Sequence, residues 1–207
     1  LTLGTAGLTG VTATAAGIGS VSFSGRVTNA IFLENQNPGT TAWQITNPVT
    51  AATPEIAGFA TATSLNVGGS LPMKVTLAQA GQYRIDVYRL GYYAGTGGRL
   101  MGSFGPFAGV KQTACGVTDS ATLLIECKWN TSFTLAIGST WTSGLYVANL
   151  TAAASGKQSQ IWFVVRDDSS HADWLFQSSF NTFLAYNNYG DGERHSVYEY
   201  NSTNGQR

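Results

Sequence analysis

Short segments in which apolar and polar residues alternate recur from Asn29 to about Arg166. Period-two alternation marks a strand with one buried face. The candidate strands are 29–34, 42–45, 58–63, 71–77, 83–89, 123–129, 133–137, 144–150 and 161–166. Between them stand Asn37-Pro38-Gly39, Asn47-Pro48, Gly68-Gly69 and Ser155-Gly156, residue pairs and triplets that favour turns. No helical periodicity of useful length interrupts the series. Strands this short and this closely spaced predict a mainly β chain, with an immunoglobulin-like β-sandwich over residues 29–168.

The alternation also assigns faces. Leu71, Met73, Val75 and Leu77 form one apolar row. Tyr83, Ile85 and Val87 form a second, and Tyr146, Ala148 and Leu150 a third. Leu123, Ile125, Cys127 and Trp129 follow the same rule. The run 161–165 is continuously apolar, so it is expected to be covered on both faces. Residues 1–28 are almost all small and are expected to be a lead-in or the remnant of a preceding β-domain, with one strand around Val21, Phe23 and Val27. After Arg166-Asp167-Asp168 the character changes: 172–186 reads as a buried strand, and a polar, aromatic tail follows. Residues 169–207 are too few for a core of their own. They either pack on the sandwich or open a second domain that continues past Arg207.

Only 11% of the 207 residues are charged, against about 25% in average soluble domains. Eleven basic and eleven acidic residues cancel. Without a basic face to neutralise phosphates, nucleic acid is not an expected partner. The low-charge, Thr/Ser/Gly-rich profile suits a secreted, extracellular or cell-surface protein. Cys115 and Cys127 bracket a short segment and read as a disulfide in an oxidising compartment, the alternative being two buried thiols. With no Cys-x-x-Cys pair, a zinc ribbon is excluded. No apolar run reaches the length of a transmembrane helix. The chain begins at Leu1 with no basic n-region, so a signal peptide is expected to be absent or removed. Asn130-Thr-Ser, Asn149-Leu-Thr and Asn201-Ser-Thr are sequons that matter only in a glycosylating pathway.

Three constellations could carry chemistry. The first is the loop Gly91 to Gly98, which follows a strand and is dense in glycine. It matches no dinucleotide or P-loop pattern, and Arg99-Leu100-Met101-Gly102 is not a helix start. A shaped turn is therefore expected rather than a phosphate cradle. The second lies in the tail. Asp191, Glu193 and His195 stand at alternate positions, which on an extended segment places two carboxylates and an imidazole on one side for a metal. Tyr186, Tyr189, Tyr198 and Tyr200 could add phenolate ligands; the alternative is a solvated loop with packed tyrosines. The third is aromatic: Tyr92 and Tyr93 in the loop, with Trp43, Trp129, Trp141 and Trp162, could offer flat faces to a sugar, although most of the tryptophans stand at core-facing positions. The chain has two histidines, His171 and His195, and no serine is marked as a nucleophile.

Several segments taken together look familiar. They are ENQNPGTTAWQI from Glu34, YRIDVYRLGYYAGTGGRL from Tyr83, WTSGLYVANL from Trp141, FVVRDD from Phe163, and LAYNNYGDGERHSVYEYNSTNGQR at the end. Over about residues 30–207 the chain resembles proteins related to the large (beta) subunit of N,N-dimethylformamidase. The resemblance implies a β-sandwich that precedes an α/β domain of glutamine-amidotransferase-like shape. It implies that 172–186 is that domain's opening strand and that the chain stops where the family continues. It also implies a mononuclear iron, held by two tyrosines and a glutamate, that hydrolyses a small amide. Tyr186 matches one such tyrosine, and the other ligands are expected in the missing C-terminal domain. Tyr189-Gly190-Asp191-Gly192 departs from the family pattern. The expected function is thus the non-catalytic sandwich portion of an exported amide hydrolase, inactive alone. The alternatives are a carbohydrate-binding module or a self-associating structural subunit.

Overall fold

A computed structural model describes residues 8–15, 19–26, 30–50, 54–121, 124–171, 175–187, 189 and 196, with the backbone alone over 8–26. The chain is mainly β. In order the elements are β1 (Leu8–Ala15), β2 (Gly19–Arg26), α1 (Ala30–Glu34), β3 (Ile56–Ala60), β4 (Ser64–Asn66), β5 (Ser70–Leu77) and β6 (Gly81–Leu90). A 3-10 turn at Tyr93–Gly95 leads into β7 (Gly98–Gly109). Then come β8 (Gly116–Asp119), β9 (Leu124–Glu126), β10 (Phe133–Ala136), β11 (Gly144–Ala152), β12 (Gln158–Arg166) and α2 (Phe180–Ala185).

Two sheets share one core. The first is three-stranded, in the order β10-β5-β3; the second is five-stranded, β4-β12-β11-β6-β7. All pairings are antiparallel except β12 with β4. Leu71, Met73, Val75 and Leu77 of β5 meet Tyr83, Ile85 and Val87 of β6. Tyr146, Ala148 and Leu150 of β11 and Ile161, Phe163 and Val165 of β12 complete that layer. The rows read in β5, β6 and β11 are buried, whereas in the row expected over 123–129 only Trp129 is buried and Ile125 and Cys127 are half-buried. Such burial stabilises by about 25 cal/mol per Å² of apolar surface.

The outer face of the five-stranded sheet is covered as well. A strand-free strap, residues 35–49, crosses it. Asn149 Nδ2 donates to Trp43 O at 3.0 Å, and Gln160 Nε2 donates to the same oxygen at 2.8 Å. Gln158 Oε1 accepts from the backbone N–H groups of Thr46 and Asn47 at 3.1 and 3.2 Å. Side chains of the sheet thus serve the strap's backbone, as a buried loop requires. Ala42 to Ile45, expected as a strand, is therefore a loop. Its alternation reflects residues turned toward or away from the sheet beneath, where Trp162 and Val164 are half-buried. Asn149 is 2% exposed and its amide is spent on the strap, so this sequon is closed in the folded protein.

Other expectations also change. The strand expected over 29–34 is not formed by its described residues: Ala30 to Glu34 form α1, whose final turn is closed by Asn35 Nδ2 to Ile31 O at 2.7 Å and Asn37 Nδ2 to Glu34 O at 2.8 Å. Its burial is the reverse of the apolar pattern, with Ile31 and Leu33 exposed and Glu34 inside. The lead-in contains an antiparallel hairpin, β1–β2, whose register sets Val11 opposite Phe23 and Ala13 opposite Val21. The strand expected over 123–129 narrows to β9, which pairs with β8 in a hairpin closed at its base by the Cys115–Cys127 disulfide. Residues 175–186 form no buried strand. Phe180, Phe183 and Leu184 have helical spacing and sit in α2, and a continuous apolar run is ambiguous between the two structures. Among the described residues no helix is long and apolar enough to cross a membrane.

Candidate functional site

The glycine-dense loop sits at one end of the five-stranded sheet, and most of its N–H groups are already committed. Gly91 N donates to Gly97 O at 3.1 Å, Gly95 N to Tyr92 O at 2.7 Å and Thr96 N to Tyr93 O at 3.2 Å. Gly97 N reaches Tyr92 O at 3.4 Å. The N–H groups of Tyr92 and Tyr93 both donate to Asn35 Oδ1. An anion cradle needs several convergent free N–H groups, and this loop has spent most of them. The glycines answer to shape. Gly95 and Gly97 have φ of 91° and 86°, values open to glycine without strain.

Packing governs the rest. A Cβ on Gly98 would lie 2.5 Å from Trp43 Cδ1 and 2.9 Å from Cγ. Trp43 Nε1 also donates to Thr96 O at 3.1 Å, so strap and loop form one unit. Gly98→Ala is expected to cost about 2 kcal/mol in urea unfolding, the scale of overpacking, and to shift tryptophan emission. An unchanged midpoint would contradict the close approach.

Beneath the loop lies a charged cluster. Arg99 Nη1 donates to Glu34 Oε1 and Oε2 at 2.8 and 2.7 Å. The Tyr93 hydroxyl donates to Glu34 Oε1 at 2.8 Å and accepts from Arg89 Nη1 at 3.0 Å. Arg89 also donates to Ser143 O at 2.8 Å and Thr142 O at 3.3 Å. Glu34, Arg89 and Tyr93 are 8%, 3% and 1% exposed. Burial pushes the Tyr93 phenol up to about 12, with the Arg89 hydrogen bond opposing, so at neutral pH it stays a donor to Glu34. Tyr93 and Ala94 adopt φ of 40° and 56°, a left-handed conformation costly for residues with a Cβ. The anchored Tyr93 side chain and Asn35 hold the chain there.

These contacts separate the expected site residues. Tyr93 is a buried strut rather than a ligand face, because its hydroxyl is needed between Arg89 and Glu34. Tyr92 is 72% exposed, so one ring of the pair meets solvent. Trp129 is buried against Phe59 at 5.3 Å, and Trp141 stacks on Tyr146 at 5.2 Å. These rings serve the core. Cys115 and Cys127 are disulfide-linked.

The tail offers less. Asp191, Glu193 and His195 lie outside the described residues. Tyr186 follows α2 and is 60% exposed. Tyr189 packs edge-on against Trp129 at 6.0 Å, and burial raises its phenol above the ordinary range. Among the described residues no group of three or more His, Cys, Asp or Glu converges. One exposed tyrosine is not a ligand set, so the described residues do not fit an iron ion. The buried Glu34–Arg99–Arg89–Tyr93 cluster went unseen in the sequence. The one signal was a charged residue, Glu34, at a position where the flanking apolar residues turn out to be exposed.

A protein-family model described as N,N-dimethylformamidase beta subunit-like, C-terminal, matches residues 84–207, more than half of the chain. No curated protein matches. Among solved structures, one chain comes from work described as "Structural basis of T cell specificity and activation by the bacterial superantigen toxic shock syndrome toxin-1". It aligns at 17% identity and a TM-score of 0.33, over 54% of this chain and 98% of its own. At that score the likeness carries no argument.

Proposed function

Because the chain belongs to the N,N-dimethylformamidase beta subunit-like, C-terminal family, we propose that its sandwich is the non-catalytic portion of an exported protein whose intact form hydrolyses small amide C–N bonds with a bound metal. One observation carries this reading. Leu175, Phe176, Phe183, Leu184 and Tyr186 are 94%, 73%, 53%, 60% and 60% exposed. An apolar run of this kind following the last sandwich strand favours an adjoining amidase-like domain as its cover. The disulfide favours export.

An immunoglobulin-like topology has support in the strand order. Strands β3, β5 and β10 correspond to A, B and E of that fold, and β6, β7, β11 and β12 to C, C′, F and G. β4 runs parallel to β12 at the edge of the second sheet, as a split first strand would.

The test is hydrolysis of dimethylformamide, with and without added iron, by this 207-residue chain and by a form extended through an amidase-like domain. The expected result is turnover by the extended form with iron and none by this chain. Iron-dependent turnover by this chain alone would overturn the assignment of the sandwich as non-catalytic. Inactivity of the iron-loaded extended form would remove the amidase.

A further inference from the structure

A shallow, open cleft of about 320 Å³ lies where the strap meets the outer face of the five-stranded sheet. The strap contributes Pro38, Gly39, Thr40 and Ala42, and the sheet contributes Tyr88, Arg99 and Leu100. Both sides are fixed in advance. Thr40 N donates to Gly98 O at 2.7 Å, and Trp43 is tied to the loop at Thr96 O. A preformed cleft avoids the ordering cost that weakens binding.

Two side chains here keep donors that the described residues leave unused. The Tyr88 ring is buried, at 6% exposed, while its hydroxyl reaches the cleft and makes no hydrogen bond to another described residue. Arg99, with its side chain 32% exposed, commits Nη1 to Glu34. Its Nε and Nη2 have no hydrogen-bond acceptor among the described residues. Charge points the same way. Arg89 and Arg99 share the single carboxylate of Glu34 through the buried cluster, which leaves this corner net positive. The nearby Arg84–Asp86 pair, at 3.0 Å, is balanced. Burial, and then Asp86, hold the Tyr88 phenol above its ordinary range, so at neutral pH it is a donor.

We propose that this cleft binds a small carboxylate with a flat apolar body. Tyr88 and Arg99 supply the donors for the carboxylate. Pro38, Ala42 and Leu100 supply the apolar walls. The inference goes beyond the family reading and does not depend on it.

Benzoate is the probe, and benzamide, of nearly the same shape without the charge, is its control. Calorimetric titration of the 207-residue protein is expected to show benzoate binding and benzamide at least about tenfold weaker. Tyr88→Phe is expected to weaken benzoate by about tenfold while leaving the melting temperature of the ligand-free protein unchanged, since no protein hydrogen bond is lost. Leu100→Trp, at a position 47% exposed, is expected to block the cleft in a folded protein. Absence of benzoate binding, equal affinity for benzamide, or wild-type binding by Tyr88→Phe would each overturn the proposal. A lower melting temperature for Tyr88→Phe would assign the hydroxyl to the fold instead.

Discussion

Replacing Glu34 by alanine is expected to lower stability by about 4 kcal/mol, the scale of a buried ion pair broken from one side. The loss comes less from the missing attraction than from what is left behind. Arg89 is 3% exposed and Arg99 is part-buried, and both would lose their counter-charge. The Tyr93 hydroxyl would lose its acceptor. With Tyr93 released, the left-handed backbone at Tyr93 and Ala94 would no longer be held. For a chain of this size the melting temperature should fall by roughly 10 °C. Glu34→Gln keeps an acceptor without the charge and should fall in between. Glu34→Ala combined with Arg99→Met should recover part of the loss, because one stranded charge is then removed. A change in the single variant no larger than that of a surface substitution would show that water, not Arg99, compensates Glu34.

Removing the disulfide, by Cys115→Ser with Cys127→Ser, is expected to cost about 3 kcal/mol from loop-closure entropy alone. The enclosed hairpin has little packing to fall back on. Gly116–Asp119 is exposed throughout, and Val117 and Leu124 are 51% and 50% exposed. Just beyond Cys127, Trp129 is 5% exposed and its indole N–H donates across to Thr113 O at 2.7 Å. That bond joins the two arms that the disulfide ties together. Tryptophan emission should therefore shift to the red in the variant before global unfolding begins. Denaturant melts identical in midpoint and emission would show that the hairpin is held by other contacts.

The central strands were legible because their chemistry is local. β5, β6 and β11 carry large apolar residues at every second position, as a buried face demands, and the continuous apolar run of β12 marks a strand covered on both sides. β7 escaped notice because glycine interrupts it repeatedly and its pairing with β6 is shifted twice. α1 was misread because five residues are too few to display a helical period. Residues 42–45 of the strap read as a strand because they alternate against a sheet to which they do not belong. The loop's shape followed from the glycines, but its anchoring did not. Glu34 and Arg99 are 65 positions apart, and nothing local to either announces the other. Tyr92 and Tyr93 are adjacent and chemically identical in sequence. Only the fold turns one outward and makes the other a strut.

Asn149 sets two processes racing in any host that glycosylates nascent chains. Its amide is an acceptor only until β11, β12 and the strap have come together, after which Trp43 O holds it. A glycan attached first would occupy the place the strap must take, so that chain could not close its outer face. Asn130, whose side chain is exposed, imposes no such deadline. The yield of folded protein from a eukaryotic secretory host would then depend on how quickly this sheet forms relative to the passage of the sequon, and Asn149→Gln would restore it only in part, since it removes the sequon but displaces the amide that serves Trp43 O and Gln160. Production in a cell without that pathway removes the contest altogether.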